Sequence, residues 1–187
     1  MTRIIDARKV RDGYIAISVL TLVNEKGERH EREVASFGNS ACVLPYDPDR
    51  KVALVVRLAR APLLFEGFQT ALIEAPAGMI EPGEDPETTI RREALEEVGV
   101  ALGALEPVAT CWPSPGVLAE RSCLFLAPYG TQDRAGPGGG LAQEHEGIVV
   151  EETSLAQLWR HIEGGDPCDM KTLTLLLALR LRRPDLF

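Results

Sequence analysis

Glu93, Glu96 and Glu97 stand close together in the run Arg92-Glu93-Ala94-Leu95-Glu96-Glu97-Val98-Gly99-Val100, behind Gly78 and Glu84. On a helix, at about 100° per residue, Glu96 and Glu97 fall roughly 60° and 40° to either side of Glu93. Three carboxylates then share one face in the last two turns. They repel one another there, and the negative end of the helix dipole adds to the cost. Hard divalent cations relieve such crowding, and an oxygen-only ligand set favours Mg²⁺ or Mn²⁺ over zinc. Arg92, four residues before Glu96, can hold one carboxylate while the others take metal. A solvated acidic helix is the plainer reading of a bare E-x-x-E-E. The spacing of Gly78, Glu84, Arg92 and Gly99 around it favours a site.

The helix that must carry these groups runs from about Pro86 to Val98. Asp85 is its N-cap, Pro86 takes the first helical position and Gly99 follows its end. Ile90, Ala94 and Val98 supply the buried stripe on the opposite face. A second helix, Leu155 to about Glu163 behind Ser154, has Leu155, Leu158, Trp159 and Ile162 at core spacing. A third starts near Met170 and ends before Pro184. It is leucine-rich almost all round, so it is buried or shared with a partner subunit.

β-rich residues 14–23, turn residues 24–27 and a charged extended stretch 28–37 predict a hairpin. Residues 41–46 and 51–57 are two strands across the Asp47-Pro48-Asp49 turn, and 70–75 and 121–127 are two more. An α/β fold with a mixed sheet follows. Gly136-Pro137-Gly138-Gly139-Gly140 reads as the flexible opening of a mobile loop through residue 147.

The 187 residues suffice for one well-buried domain. With 45% apolar and 26% charged residues the chain reads as globular, and its net charge of −8 argues against nucleic acid or an anionic membrane as partner. The four cysteines, Cys42, Cys111, Cys123 and Cys168, form no C-x-x-C pair and read as reduced thiols. Residues 1–10 lack a signal-peptide core, and no apolar run reaches membrane-spanning length. The expected compartment is the cytoplasm.

Gly78 to Val100 resembles the Nudix box at every fixed position. That resemblance implies a Nudix α/β/α sandwich with a mixed β-sheet and an N-terminal antiparallel β-hairpin or sheet. It implies metals on Glu93 and Glu97, with Glu96 assisting and the Ala77 carbonyl as a further ligand. Gly78, Glu84, Arg92 and Gly99 would be the structural members of the motif. Residues 1–37 would form an N-terminal strand region used for dimerisation, and 38–187 the hydrolase domain.

The flanks resemble one branch of that family. Glu74-Ala75-Pro76-Ala77-Gly78 is similar to the E-x-P-A-G lead-in of ADP-ribose pyrophosphatases, and Ser114-Pro115-Gly116 and Glu120-Arg121-Ser122 to two of its later elements. Asp169-Met170-Lys171-Thr172 resembles its C-terminal D-x-K-T. The likeness is shared with bacterial GDP-mannose pyrophosphatases, whose glycine-rich segment is similar to Gly138-Gly139-Gly140. Three residues depart from the branch: Leu58 and Ala59 within Val56 to Arg60, and Val117 after the S-P-G element.

The resemblance implies a nucleotide-sugar substrate, ADP-ribose first and GDP-mannose second, cleaved by a Mg²⁺-dependent homodimer with crossing N-terminal strands. It places the water-positioning glutamate at Glu146, with Glu144 as the alternative. Arg32 and Arg60 are candidates for the substrate's phosphates, since guanidinium forks match phosphate oxygens. Glu74 and Glu120 join them as substrate-binding candidates. Tyr14, Phe37, Phe65 and Trp112 are open candidates for stacking on the base. The rival reading is a non-catalytic sensor of such a ligand. Sensors of this kind commonly lose a box carboxylate, whereas every box residue stands here.

Overall fold

The computed structural model describes residues 1–141 and 147–187. By contacts the chain divides into two units, one formed by 1–39 and 111–121 and the other by 40–110 and 122–187. The first therefore takes in a segment beyond the expected bounds of 1–37.

The N-terminal unit holds a three-stranded antiparallel sheet in the order β1-β2-β3, from Arg3–Arg11, Ala16–Val23 and Arg29–Ser36. The expected hairpin is β2–β3, paired from Ala16↔Ser36 to Val23↔Arg29. β1 is an addition that sequence patterning concealed. Its residues are all exposed, and its charges (Arg3, Asp6, Arg8, Lys9, Arg11) interrupt any apolar alternation. Residues 114–119 return alongside β3, where Ala35 N–H donates to Val117 and Ala119 N–H donates to Ala35.

In the second unit a seven-stranded mixed sheet is centred on β4 (Ser40–Asp47), buried along its whole length. β4 runs parallel to β9 (Ser122–Pro128) from Ser40↔Ser122 to Tyr46↔Pro128. At one end it meets β5 (Val52–Leu58), and at the other it pairs with the short β7 (Ala77–Met79). β6 (Leu72–Glu74) and β10 (Val149–Ser154) add to β5, and β8 (Glu106–Cys111) closes the β9 side.

Strand periodicity then sorts the helices into layers. Ala41, Val43, Leu54 and Val56 form one core with Ile90, Ala94 and Val98 of α2 (Pro86–Val98). On the other side of β4, Cys42 lies near Asp169 and Lys171, at the start of α4 (Met170–Arg182). α3 (Leu155–Glu163) follows β10 behind a capping box from Ser154 to Gln157. A short helix not foreseen is α1 (Ala61–Phe65), which starts behind Arg60 with Pro62 in its first turn.

α4 is amphipathic rather than buried all round. Leu175, Leu176 and Leu179 are interior, while Leu181 is 83% exposed. Among the described residues no helix is long and apolar enough to cross a membrane.

Burial of Ile90 against β4 and β5 holds α2 on the sheet. Ile90→Ala should cost about 2–5 kcal/mol in urea unfolding, since the removed side chain is fully enclosed. A loss below about 0.5 kcal/mol would contradict that packing.

Candidate active site

α2 begins and ends as its sequence dictates. Asp85 accepts hydrogen bonds from the N–H groups of Glu87 and Thr88, both at 3.0 Å. Gly99 ends the helix in the left-handed region, at φ 67°, where a side chain is disfavoured. Between these ends, the carboxylates stand in one connected network.

Arg92 is its hub. One guanidinium nitrogen, Nη1, reaches Glu93 Oε1 at 2.8 Å and Glu96 Oε2 at 3.2 Å. Its Nη2 lies 3.3 Å from Glu84 Oε2. Glu84 is held in turn by the buried Thr89, whose hydroxyl donates to it at 2.8 Å. The Thr89 hydrogen bond, followed by that from Arg92, keeps the Glu84 carboxyl below its ordinary pKa. The i to i+4 spacing gives Arg92 one carboxylate, Glu96; the structure gives it three. Thr89 was missed because a threonine inside a helix carries no motif signal.

Glu97 takes a different route. It is only 6% exposed, and its Oε2 accepts from the Ala77 N–H at 3.0 Å. The side chain is thus tied to the strand whose carbonyl the resemblance names as a ligand. Glu93 lies against the same strand. A Cβ on Gly78 would come within 1.9 Å of Glu93 Oε1, so glycine there makes room for the carboxylate.

The candidate donor set is oxygen-only: the carboxylates of Glu93 and Glu96, joined through Arg92, and that of Glu97 on the Ala77 backbone. That chemistry fits a hard divalent cation rather than zinc. Among the described residues no three acidic, histidine or cysteine side chains stand as a ready-made cage. Arg92 supplies the counter-charge between Glu93 and Glu96.

The strand itself is anchored from behind. Val43 N–H donates to the Pro76 carbonyl at 3.0 Å, and β7 pairs Ala41 with Gly78 and Cys42 with Ala77. Ala75 N–H donates to the Thr172 hydroxyl at 2.7 Å, and that hydroxyl donates to Asp169. Asp169 also caps α4, accepting from the N–H groups of Lys171 and Thr172, and pairs with Lys171 Nζ at 2.9 Å. Burial pushes the Lys171 ammonium pKa down, but Asp169 beside it outweighs that and the net shift is upward. The D-x-K-T element is therefore a helix cap that also grips the lead-in to the box. Burial, followed by Asp169, pushes the neighbouring Cys42 thiol up, so it stays protonated.

The other sequence candidates fall as follows. Arg60 forms a two-point fork on Glu74, with Nε–Oε1 at 2.8 Å and Nη2–Oε2 at 3.0 Å, and Glu74 is 3% exposed. The two expected substrate contacts thus form one unit. Arg32 is exposed on β3, with Nη1 on the carbonyl of Glu31, and Glu120 is buried in the N-terminal unit. Tyr14 stacks on Phe37 with ring centroids 6.5 Å apart, while Phe65 and Trp112 are exposed. Glu144 and Glu146 lie outside the described residues. Gly136 to Gly140, expected as a flexible opening, instead lies against the end of α2: Gly139 N–H donates to the Glu97 carbonyl at 2.8 Å and Gly140 N–H to that of Glu96 at 3.0 Å.

Comparison with known proteins agrees with this geometry. The NUDIX domain model matches residues 36–172. A GDP-mannose pyrophosphatase of Cronobacter sakazakii is 38% identical over 176 residues, covering 91% of each chain. One of Escherichia coli O157:H7 is 35% identical over 175 residues, covering 91% of this chain and 90% of its own. A solved structure described as an ADP compounds hydrolase superposes with a TM-score of 0.78 over 98% of this chain and 95% of its own, at 18% identity, which shows a shared fold. The chain belongs to the Nudix hydrolase family. Pyrophosphatases of that family generally use divalent metal ions.

The Thr172 tether gives a stability test. Thr172→Val keeps the shape but leaves the Ala75 N–H without its buried acceptor, so unfolding free energy should drop by about 1–3 kcal/mol. Thr172→Ser should recover most of that loss. A valine variant as stable as the parent in urea would show that the contact holds nothing.

Proposed function

We propose that this chain is a Mg²⁺-dependent pyrophosphatase of nucleoside diphosphate sugars, with GDP-mannose ahead of ADP-ribose as substrate. One observation carries the reading: Glu93, Glu96 and Glu97 are gathered at the end of α2, with Glu97 bonded to Ala77 and Glu93 seated on Gly78. Relatives matching over nine tenths of the chain are GDP-mannose pyrophosphatases, which supports the first substrate. The E-x-P-A-G and S-P-G elements support the second.

Glu93 and Glu97 would be the principal metal ligands, with Glu96 and the Ala77 carbonyl completing the set; Mn²⁺ suits the same oxygen donors. Bound divalent cations supply charge neutralisation of the pyrophosphate and stabilisation of the leaving phosphate. The protein's own part is to hold these oxygens in place. Arg92 keeps Glu96 aligned from within the helix, and Glu84 with Thr89 fixes Arg92. Glu74 engages the Nε and Nη2 donors of Arg60 and so orients its guanidinium, whose remaining donor edge we assign to substrate phosphates. Arg32 and Glu120 are assigned to substrate binding on the family resemblance, and Glu146, with Glu144 as alternative, to positioning the water.

A homodimer joined through residues 1–37 and a cytoplasmic location complete the proposal. Among the described residues β1 is an exposed edge strand, paired in its sheet with β2. Such an edge favours pairing with a second copy. Light scattering should give a species of twice 20.4 kDa at micromolar concentration, and a monomer throughout would refute the dimer.

The activity test is a hydrolysis panel of GDP-mannose, ADP-ribose, NADH and diadenosine polyphosphates with Mg²⁺. Water should split GDP-mannose to GMP and mannose 1-phosphate, and ADP-ribose to AMP and ribose 5-phosphate. Glu93→Gln and Glu97→Gln should each lower kcat by about 10²-fold or more with the fold intact. A preference for NADH or the diadenosine compounds overturns the substrate class. Absence of turnover on the whole panel favours the sensor reading, and full activity in excess EDTA sinks the metal requirement.

A further inference from the structure

An α-helix leaves its last four carbonyls without partners inside the helix. In α2 these belong to Leu95, Glu96, Glu97 and Val98. Gly99 N–H takes the first, as in an ordinary helix end. The next three are met by one distant segment. Gly140 N–H donates to Glu96, Gly139 N–H to Glu97, and Arg134 Nη1 to Val98 at 3.0 Å. Ala135 N–H adds a bond at 2.8 Å to the carbonyl of Gly99.

Two of these carbonyls belong to residues whose side chains are assigned to metal. The same end of the helix bears the negative pole of its dipole, next to three glutamates. Three N–H groups and a guanidinium therefore meet the carbonyls where negative charge is densest. The approach is close enough to require a glycine. Gly138 has φ 69°, and a Cβ there would meet the Glu97 carbonyl oxygen at 2.5 Å and Val98 Cα at 2.7 Å. The glycine run thus serves close docking.

We propose that Arg134 and Gly138–Gly140 are positioning residues for the metal site: they fix the last turn of α2 so that Glu96 and Glu97 hold their carboxylates in register for a divalent cation. This rests on the assignment of Glu97 as a metal ligand. Gly138 permits the approach, Gly139 and Gly140 lock the backbones of Glu97 and Glu96, and Arg134 offsets charge at Val98.

The test is Mn²⁺ binding to the full chain, read by electron paramagnetic resonance without substrate, with circular dichroism to confirm folding. Gly138→Ala should weaken Mn²⁺ binding by about 10–100-fold, as loss of groups supporting metal ligands does. It should lower kcat while KM for GDP-mannose or ADP-ribose, whichever the protein hydrolyses, changes by less than about threefold. Gly103→Ala, with no atom within 4 Å of the added Cβ and no positive φ, is the control and should bind Mn²⁺ as the parent does. Arg134→Met should weaken binding by about two- to fivefold, and Arg134→Lys should restore it.

Should Gly138→Ala not fold, the Arg134 pair decides. Parental Mn²⁺ affinity in Arg134→Met, or in a folded Gly138→Ala, overturns the positioning role where Glu97→Gln loses affinity. If Glu97→Gln itself binds Mn²⁺ as the parent does, the metal assignment has failed and the proposal falls with it.

Discussion

Repulsion among Glu93, Glu96 and Glu97 at the negative end of α2 is the constraint to which much of the surrounding chain answers. Each like-charged pair on an exposed helix costs a few tenths of a kcal/mol, and the dipole adds about 0.3–1 kcal/mol per charge. Burial of Glu97 sharpens the problem, because water no longer screens it fully. Against this, the enclosed side chains of Ile90 and Val98 contribute about 1.5–3 kcal/mol each through burial. Their magnitude decides the matter: apolar packing can hold in place a helix that its own charges disfavour.

The remaining strain is met from three directions. Arg92 works from within the helix, and its position is set by Glu84 and Thr89. The Ala77 N–H works from the facing strand, itself clamped between β4 and the Thr172 hydroxyl. Backbone N–H groups of the glycine segment work from the helix end. Family motifs that are scattered along the sequence (the box, E-x-P-A-G, D-x-K-T and the glycine run) thereby meet around one short helix.

Much of this was readable beforehand. The bounds of α2 follow from Asp85, Pro86 and Gly99, and the buried stripe at Ile90, Ala94 and Val98 is where periodicity places it. The strands with strong apolar content, β2, β4, β5 and β9, were also legible. β1 was not, because an all-exposed edge strand needs no alternation of apolar residues. α1 escaped because five residues carry too little periodicity to register. Glycine misled in the other direction. Its freedom suggests motion, yet at Gly138 the absence of a Cβ lets two backbones touch, and a sequence does not distinguish those uses. Thr89 and Arg134 carry no motif of their own, and Thr172, legible within D-x-K-T, grips Ala75 far back along the chain, so only the folded chain shows what each of them holds.

The proposed chemistry depends on one placement, a divalent cation held by Glu93, Glu97 and the Ala77 carbonyl. Anomalous diffraction from crystals of the protein grown with Mn²⁺ tests it most directly. A strong anomalous peak is expected within ligand distance of carboxylate oxygens of Glu93 and Glu97 and of the Ala77 carbonyl oxygen. A peak bound elsewhere with these oxygens bare, or none at saturating Mn²⁺, would contradict it.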